Sequence, residues 1–394
     1  MFRINHDLTV AKPDYTGDSI VNLMRSIGDF YGADASPYPP LSSITARLQA
    51  AERVVLLVID GMGAEVLRHI GEDTIFSDHQ CVEITSVYPP TTASAITTFM
   101  TGLAPQQHGL TGWFMHFRQI GAVTAVLPFA PRFGSDSLSD SGVEIDSLIG
   151  GTNFFDTLGC QSTALLPQAI CYSDFSGLFG GCARRVPYAS LDDFVQKLER
   201  NCFGETGRQY VYAYWSELDR LSHIHGPSGP TVAAHLNEIS EALMPIFEAC
   251  ADSGTLLVTT ADHGFIDSGA EQRVDLIDHP ELADMLSLPL CGEPRSAYCY
   301  VRPKYTNHFE RYVAAELGEF ARLVPSEELI DEGWFGIGEV HSELSSRIGD
   351  YTLQMRDRYT IVDSLPGERR FNMNGVHGGT AAAELYVPLI LSGP

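Results

Sequence analysis

Three apolar runs in this chain each stop at acidic residues. Val54-Val55-Leu56-Leu57-Val58-Ile59 ends at Asp60. Tyr210-Val211-Tyr212-Ala213-Tyr214-Trp215 leads to Glu217 and Asp219, with His223 and His225 close behind. Leu256-Leu257-Val258-Thr259-Thr260 ends at Asp262-His263-Gly264. Short β-rich runs separated by glycines and helical patterns read as buried parallel strands. In open α/β sheets, ligands bind beyond the carboxyl ends of the strands. The three junctions therefore predict carboxylates and imidazoles gathered on one rim. Desolvating such a cluster is costly unless a cation holds it together. This mix of oxygen and nitrogen ligands suits zinc, manganese or a similar divalent metal.

Other residue patterns can join that rim. Thr91-Thr92 follows Pro89-Pro90, where an extended entry should give way to a helix. A hydroxyl there is commonly a helix cap. The same place is an anion site, and a metal can activate a hydroxyl there as a nucleophile. Asp219 and His223 are four apart, so a helix would put them on one face. His377 stands in Val-His-Gly-Gly, beside glycines that let the backbone turn tightly. His108-Gly109 reads as structural. A dinucleotide-binding reading of Asp60-Gly61-Met62-Gly63 is weak: the third glycine is replaced by Val66, and the acidic residue precedes the glycines.

The elements that must position these residues are legible in outline. Helical apolar spacing covers 18–31, 230–250 and the segment from Thr92 to Thr101. A helix at 190–201 opens on Ser190-x-x-Asp193, a capping-box variant. A short strand is expected near 85–88. After Gly264 the character changes, and short alternating strands around a helix at 307–319 suggest an inserted unit. The expectation is an α/β fold, with a mostly parallel central sheet flanked by helices and a small inserted α+β subdomain. The core would span 1–289 and 371–394, and the insert 290–370.

The chain has 394 residues, 44% of them hydrophobic, and a formal net charge of −25. Such a balance argues against a nucleic-acid polymer or an anionic membrane as partner, since both need excess Lys and Arg. It leaves room for an anionic small substrate, because bound metals invert the local field. The eight cysteines form no C-x-x-C pair and read as ordinary buried thiols. The first residues, Met1 to Asp7, carry no apolar signal core, and no segment approaches the ~20 apolar residues of a membrane span. The expected location is cytoplasmic.

Five segments, in order, resemble the alkaline phosphatase superfamily, and within it the nucleotide pyrophosphatase/phosphodiesterase-like branch. They are VVLLVIDGMG (54–63), YPPTTASAITTFMTGLAPQQHGL (88–110), ELDRLSHIHGP (217–227), TTADHGF (259–265) and GVHGG (375–379). The resemblance implies two divalent ions, zinc in first place with manganese as the alternative. One would be held by Asp219, His223 and His377. The other would be held by Asp60, Asp262 and His263, together with the hydroxyl of Thr92. Thr92 is preferred to Thr91 by its spacing to Thr101-Gly102-Leu103, which matches the family. It would be the nucleophile, forming a phospho-threonine that water then hydrolyses.

Two departures bear on substrate. The branch commonly has Thr-Phe-Pro-Asn at the nucleophile, where this chain has Thr92-Ala93-Ser94-Ala95. It also has an Asn shortly after His-Gly, where Trp113 stands here. Trp113, Phe114 and Phe117 could stack on a base or belong to the core, and no arginine is assignable as a monoesterase clamp. The implied activity is hydrolysis of phosphodiester or pyrophosphate bonds in a small phosphorylated substrate, with a nucleotide among the candidates. Phosphonate hydrolysis of the phosphonoacetate type and phosphomonoester hydrolysis on the same core are the alternatives. A non-catalytic metal- or phosphate-binding protein ranks below these. A homodimer is compatible with the sequence.

Overall fold

The computed structural model describes residues 6–34, 36–134, 136–204, 207–368 and 372–394. The first five residues, and the expected insert boundary at 369–371, lie outside the described residues.

A seven-stranded sheet forms the core. Its order is Gln80–Thr85, Tyr386–Ser392, Thr255–Thr260, Arg53–Ile59, Gln209–Trp215, Gln161–Pro167 and Arg184–Tyr188. All strand pairs are parallel except those made by Tyr386–Ser392, which runs antiparallel to both of its neighbours. The fold is the expected α/β class, with helices flanking a mostly parallel sheet. Arg53–Ile59, Gln209–Trp215 and Thr255–Thr260 are buried along their whole length. That burial explains why they read as unbroken apolar runs instead of alternating ones.

The three strands that end at acidic junctions are neighbours in the middle of this sheet. Val58 pairs with Thr260, and Ile59 pairs with Trp215. Continuing that register, Asp60, Ser216 and Asp262 leave the sheet at the same level. Helix Glu217–His225 starts at once after Ser216. Helix Thr92–Thr101 comes at the end of an extended segment that leaves Gln80–Thr85. This strand lies slightly earlier than the expected 85–88, because its pairing with Tyr386–Ser392 begins at Gln80 and stops at Thr85. A short antiparallel pair, Ile266–Asp267 with Gly375–Val376, returns the late segment carrying His377 to the same rim.

A second seven-stranded sheet is antiparallel, in the order Ala321–Pro325, Tyr351–Met355, Ser296–Cys299, Cys291–Glu293, Phe114–Phe117, Ala122–Ala125, Ala130–Pro131. The segment 290–370 supplies four of these strands, and the rest come from 114–131. The joint is a single pairing, Gly292 with Phe114. The accessory unit therefore draws on the polypeptide after helix Thr92–Thr101 as well as on the late segment. No helix among the described residues is long and apolar enough to cross a membrane.

A buried ionic knot ties the N-terminal segment to the core. His6 Nδ1 lies 2.6 Å from Glu65 Oε1, and its Nε2 lies 3.0 Å from Asp267 Oδ2. Asp267 also accepts from Ser228, just beyond helix Glu217–His225. Burial alone would lower the His6 pKa, but the hydrogen bonds and charges of Asp267 and Glu65 outweigh it and raise the pKa above its ordinary value. The stabilisation by this pair is therefore fully present below the unfolded histidine pKa and is lost as pH rises through the raised one. His6→Gln should lower the urea midpoint, by the equivalent of about 1–3 kcal/mol for a buried polar group left unpaired. The gap from the unsubstituted protein should be widest at mildly acidic pH and narrow toward alkaline pH. A gap that widens with pH would contradict the assignment.

Candidate active site

Every expected ligand reaches the rim. His263 Nε2 lies 3.4 Å from Asp60 Oδ1, 3.4 Å from Asp262 Oδ2 and 3.9 Å from Asp219 Oδ1. His223 Nε2 and His377 Nε2 lie 3.5 Å and 3.8 Å from Asp219 Oδ1, and 3.3 Å from each other. The Thr92 hydroxyl lies 3.2 Å from His263 Nε2. Two clusters of potential metal ligands result, Asp60-Asp262-His263 and Asp219-His263-His377, with His223 beside the second. Glu217 and His225 stay outside: Glu217 pairs with Arg220, and His225 is exposed.

The atoms facing inward are those that lack partners. Asp60 Oδ1, Asp219 Oδ1 and Asp262 Oδ2 are buried and accept no hydrogen bond among the described residues. Their sister oxygens differ: Tyr214 donates to Asp60 Oδ2, and the amides of Gly61 and His263 donate to Asp262 Oδ1 at 3.0 Å each. The imidazoles show the same polarity. Their Nδ1 atoms face backbone carbonyls, of Gly375 for His223 (2.9 Å), Gly264 for His263 (3.1 Å) and Pro90 for His377 (3.3 Å). An Nδ1–H donated to a carbonyl leaves the Nε2 lone pair for a metal. Four ligands ~2.0–2.1 Å from a zinc-sized ion stand roughly 3.3 Å apart, close to the spacings found here. The donor set therefore fits divalent cations.

The electrostatics point the same way. Burial first, and then the charges of Asp262 and Asp219, hold the Asp60 carboxyl well above its usual range. Burial also raises Asp219. Burial, with His263 and His223 adding to it, pushes His377 well below its ordinary value and so keeps it neutral. Three carboxylates this close do not ionise together without a compensating positive charge.

Thr91 and Thr92 take different roles in the geometry. Thr91 is the N-cap of helix Thr92–Thr101, yet its side chain makes no capping bond. Its hydroxyl donates instead to Glu293 Oε1 at 2.7 Å. Thr92 alone of the two turns its hydroxyl to the ligand cluster. Both line a cavity of about 590 Å³ with Asp219, His223, His377 and Glu293.

Two glycines allow the ligand turns to meet. Gly63 backs directly onto Gly264: a Cβ on Gly63 would lie 2.3 Å from the Gly264 Cα. Below them, Glu384 ties two ligand turns together. Its carbonyl accepts from the Gly264 amide at 2.7 Å, and its Oε1 accepts from the Gly379 amide at 2.8 Å. Arg295, from the turn between Cys291–Glu293 and Ser296–Cys299 of the accessory sheet, clamps the same carboxylate at 2.8 and 3.1 Å.

The aromatic expectations divide. Trp113 is 37% exposed and lines the cavity with Phe114, whereas Phe117 is wholly buried beneath Arg347 and belongs to the core. His108 is structural, as expected: it is buried, 3.3 Å from the Thr98 hydroxyl, and burial lowers its pKa to about 3. Arg132, over the Phe114 ring, is held by Asp363 and Glu368. Glu293 and Tyr214 carry no local sequence signal, because their partners Thr91, Trp113 and Asp60 are far away in the chain; Glu384 has the nearby Gly379 amide, but its ties to Gly264 and Arg295 are equally distant.

Residues 54–380 match the family model described as type I phosphodiesterase / nucleotide pyrophosphatase. The chain belongs to that family. It is a phosphoric ester hydrolase of the alkaline phosphatase superfamily. The model resembles solved structures of ectonucleotide pyrophosphatase/phosphodiesterase 5. Against the murine protein the TM-score is 0.63 at 17% identity, covering 86% of this chain and 88% of that one. An inactive variant of the murine protein in complex with AMP gives 0.63 at 18%, covering 87% and 88%. The human protein gives 0.63 at 17%, covering 86% and 88%. At these identities the likeness speaks to the fold alone. No curated protein sequence matches the chain.

The Arg295–Glu384 pair is 1% and 0% exposed. Removing one partner strands a buried charge, so Arg295→Ala should cost about 3–5 kcal/mol in urea unfolding. A loss under 1 kcal/mol would mean that the joint does not hold the ligand turns.

Proposed function

We propose that this family member cleaves phosphodiester or pyrophosphate bonds, with Thr92 as nucleophile and a phospho-threonine intermediate. The carrying observation is the Thr92 hydroxyl, on the wall of the cavity and 3.2 Å from His263 Nε2, beside three buried carboxylate oxygens without partners. Asp219, His223 and His377 would hold one divalent ion, and Asp60, Asp262, His263 and Thr92 the other; zinc suits this donor set best, with manganese the alternative. Bound there, such ions supply positive charge to the attacking and leaving oxygens and acidify the nucleophilic hydroxyl.

The chain's own residues do the rest. Thr92 opens a helix of ten residues, and the amides of its first turn have no intrahelical partner. They favour an anionic oxygen at that point. The Thr92 oxygen, losing its proton, attacks phosphorus in line while the bond to the leaving alcohol or phosphate breaks. Water then attacks the phosphoryl group and frees Thr92. Trp113 and Phe114 offer aromatic faces on the cavity wall. Together with the AMP complex of the murine relative, they support a nucleotide as substrate. Trp113 stands where the branch commonly has a phosphate-contacting Asn, and this departure keeps phosphonate and phosphomonoester hydrolysis as the second reading.

Metal-stripped protein should be inactive and regain turnover with Zn²⁺ or Mn²⁺. It should then hydrolyse bis(p-nitrophenyl) phosphate in preference to p-nitrophenyl phosphate; a monoester preference would select the second reading. Thr92→Ala should retain its metal but lose about 10³–10⁶ in kcat, as expected for a nucleophile. Full activity would move the attack to Thr91 or water. His377→Ala should lower metal stoichiometry measured by elemental analysis, and unchanged content would remove His377 from the ligand set.

A further inference from the structure

Glu293 ends the short strand Cys291–Glu293 and lines the same cavity as Thr92. Its Oε1 accepts from the Thr91 hydroxyl and from the Trp113 amide, at 2.7 Å each. One carboxyl thus braces the residue before the candidate nucleophile and the residue that departs from the family pattern. Both of these bonds fall on Oε1, and no ion pair to Glu293 is found among the described residues. Arg132, across the cavity, is already occupied by Asp363 and Glu368. The accessory sheet therefore delivers a carboxyl group without a cationic partner to the pocket where a phosphate ester would sit.

We propose that Glu293 is a charge discriminator, favouring singly charged phosphate esters over doubly charged ones. The inference rests on the phosphate-ester reading above. A diester carries one negative charge, and a monoester carries close to two above its second pKa near 6. Coulomb repulsion from a fixed carboxylate scales with that charge, and it is stronger beside a buried carboxyl such as Glu293 than in bulk water. Positive charge at the ligand cluster attracts both substrates. The carboxylate subtracts about twice as much from the dianion.

Glu293→Gln is the informative variant, because its amide oxygen still accepts from Thr91 and Trp113 while the charge is gone. Thr91→Val is its complement, removing the hydrogen bond and leaving the charge. On zinc-loaded protein at about pH 8.5, where a carboxyl held near 7 is mostly ionised, two ratios are measured. One is kcat/KM for bis(p-nitrophenyl) phosphate against p-nitrophenyl phosphate. The other is calorimetric affinity for dimethyl phosphate against inorganic phosphate. Glu293→Gln should shift both ratios toward the dianion by at least about tenfold, about 1.4 kcal/mol, whereas Thr91→Val should leave them in place. Unmoved ratios in Glu293→Gln overturn the proposal and leave Glu293 as a strut, as does an equal shift in Thr91→Val. If the unsubstituted protein turns over neither ester, the hydrolytic reading fails by itself, and the binding ratio alone decides the role of Glu293.

Discussion

Mutual repulsion among Asp60, Asp219 and Asp262 is the constraint on which the structure turns. Each carboxylate presents one buried oxygen that no hydrogen-bond donor among the described residues reaches. The protein supplies donors to the outer oxygens of Asp60 and Asp262, from Tyr214 and from backbone amides, and withholds them from the inner ones. A fold that only needed to bury these residues would satisfy both sides. The imidazoles repeat the pattern, with Nδ1 anchored to carbonyls and Nε2 turned inward. The arrangement is stable in proportion to the positive charge it can recruit.

Holding such a cluster demands a frame stiffer than loops. Three adjacent, fully buried parallel strands fix the level at which the ligand turns emerge. Gly63 and Gly264 remove the side chains that would keep two of those turns apart. The late His377 turn has no such strand beneath it. It is held by the brief pairing of Gly375–Val376 and by Glu384, whose carboxylate is in turn gripped by Arg295. The accessory sheet is thus coupled to the candidate centre in two places, through Arg295 below and Glu293 on the cavity wall.

Much of this was legible in the primary structure because it is local. An apolar run long enough for a buried strand, ending in Asp, states both the strand and the place of its carboxylate. Asp219 and His223 share a helical face because they are four apart, and the helix from Thr92 to Thr101 ends on a left-handed Gly102, as glycine C-caps commonly do. The family-like motifs order themselves along the chain and carry the ligand set with them. Phe117 shows where local reading stops: aromatic character is the same in a stacking residue and a core residue, and only packing under Arg347 separates them.

The sequence by itself determined the α/β class, the central strands, the acidic junctions and the seven residues that gather on the rim. The first three depend on short-range periodicity, and the seven residues on the resemblance of five ordered segments to a known family. Tertiary structure alone decided which oxygen of each carboxylate faces inward, that Thr91 is bound to Glu293 while Thr92 is left facing the ligands, and that strands from 114–131 complete the sheet of the late segment. Those facts depend on contacts between residues far apart in the chain, 202 positions in the case of Thr91 and Glu293. Hydrophobic pattern has no memory over such a distance, and only the closing of the two sheets onto each other brings the partners within reach.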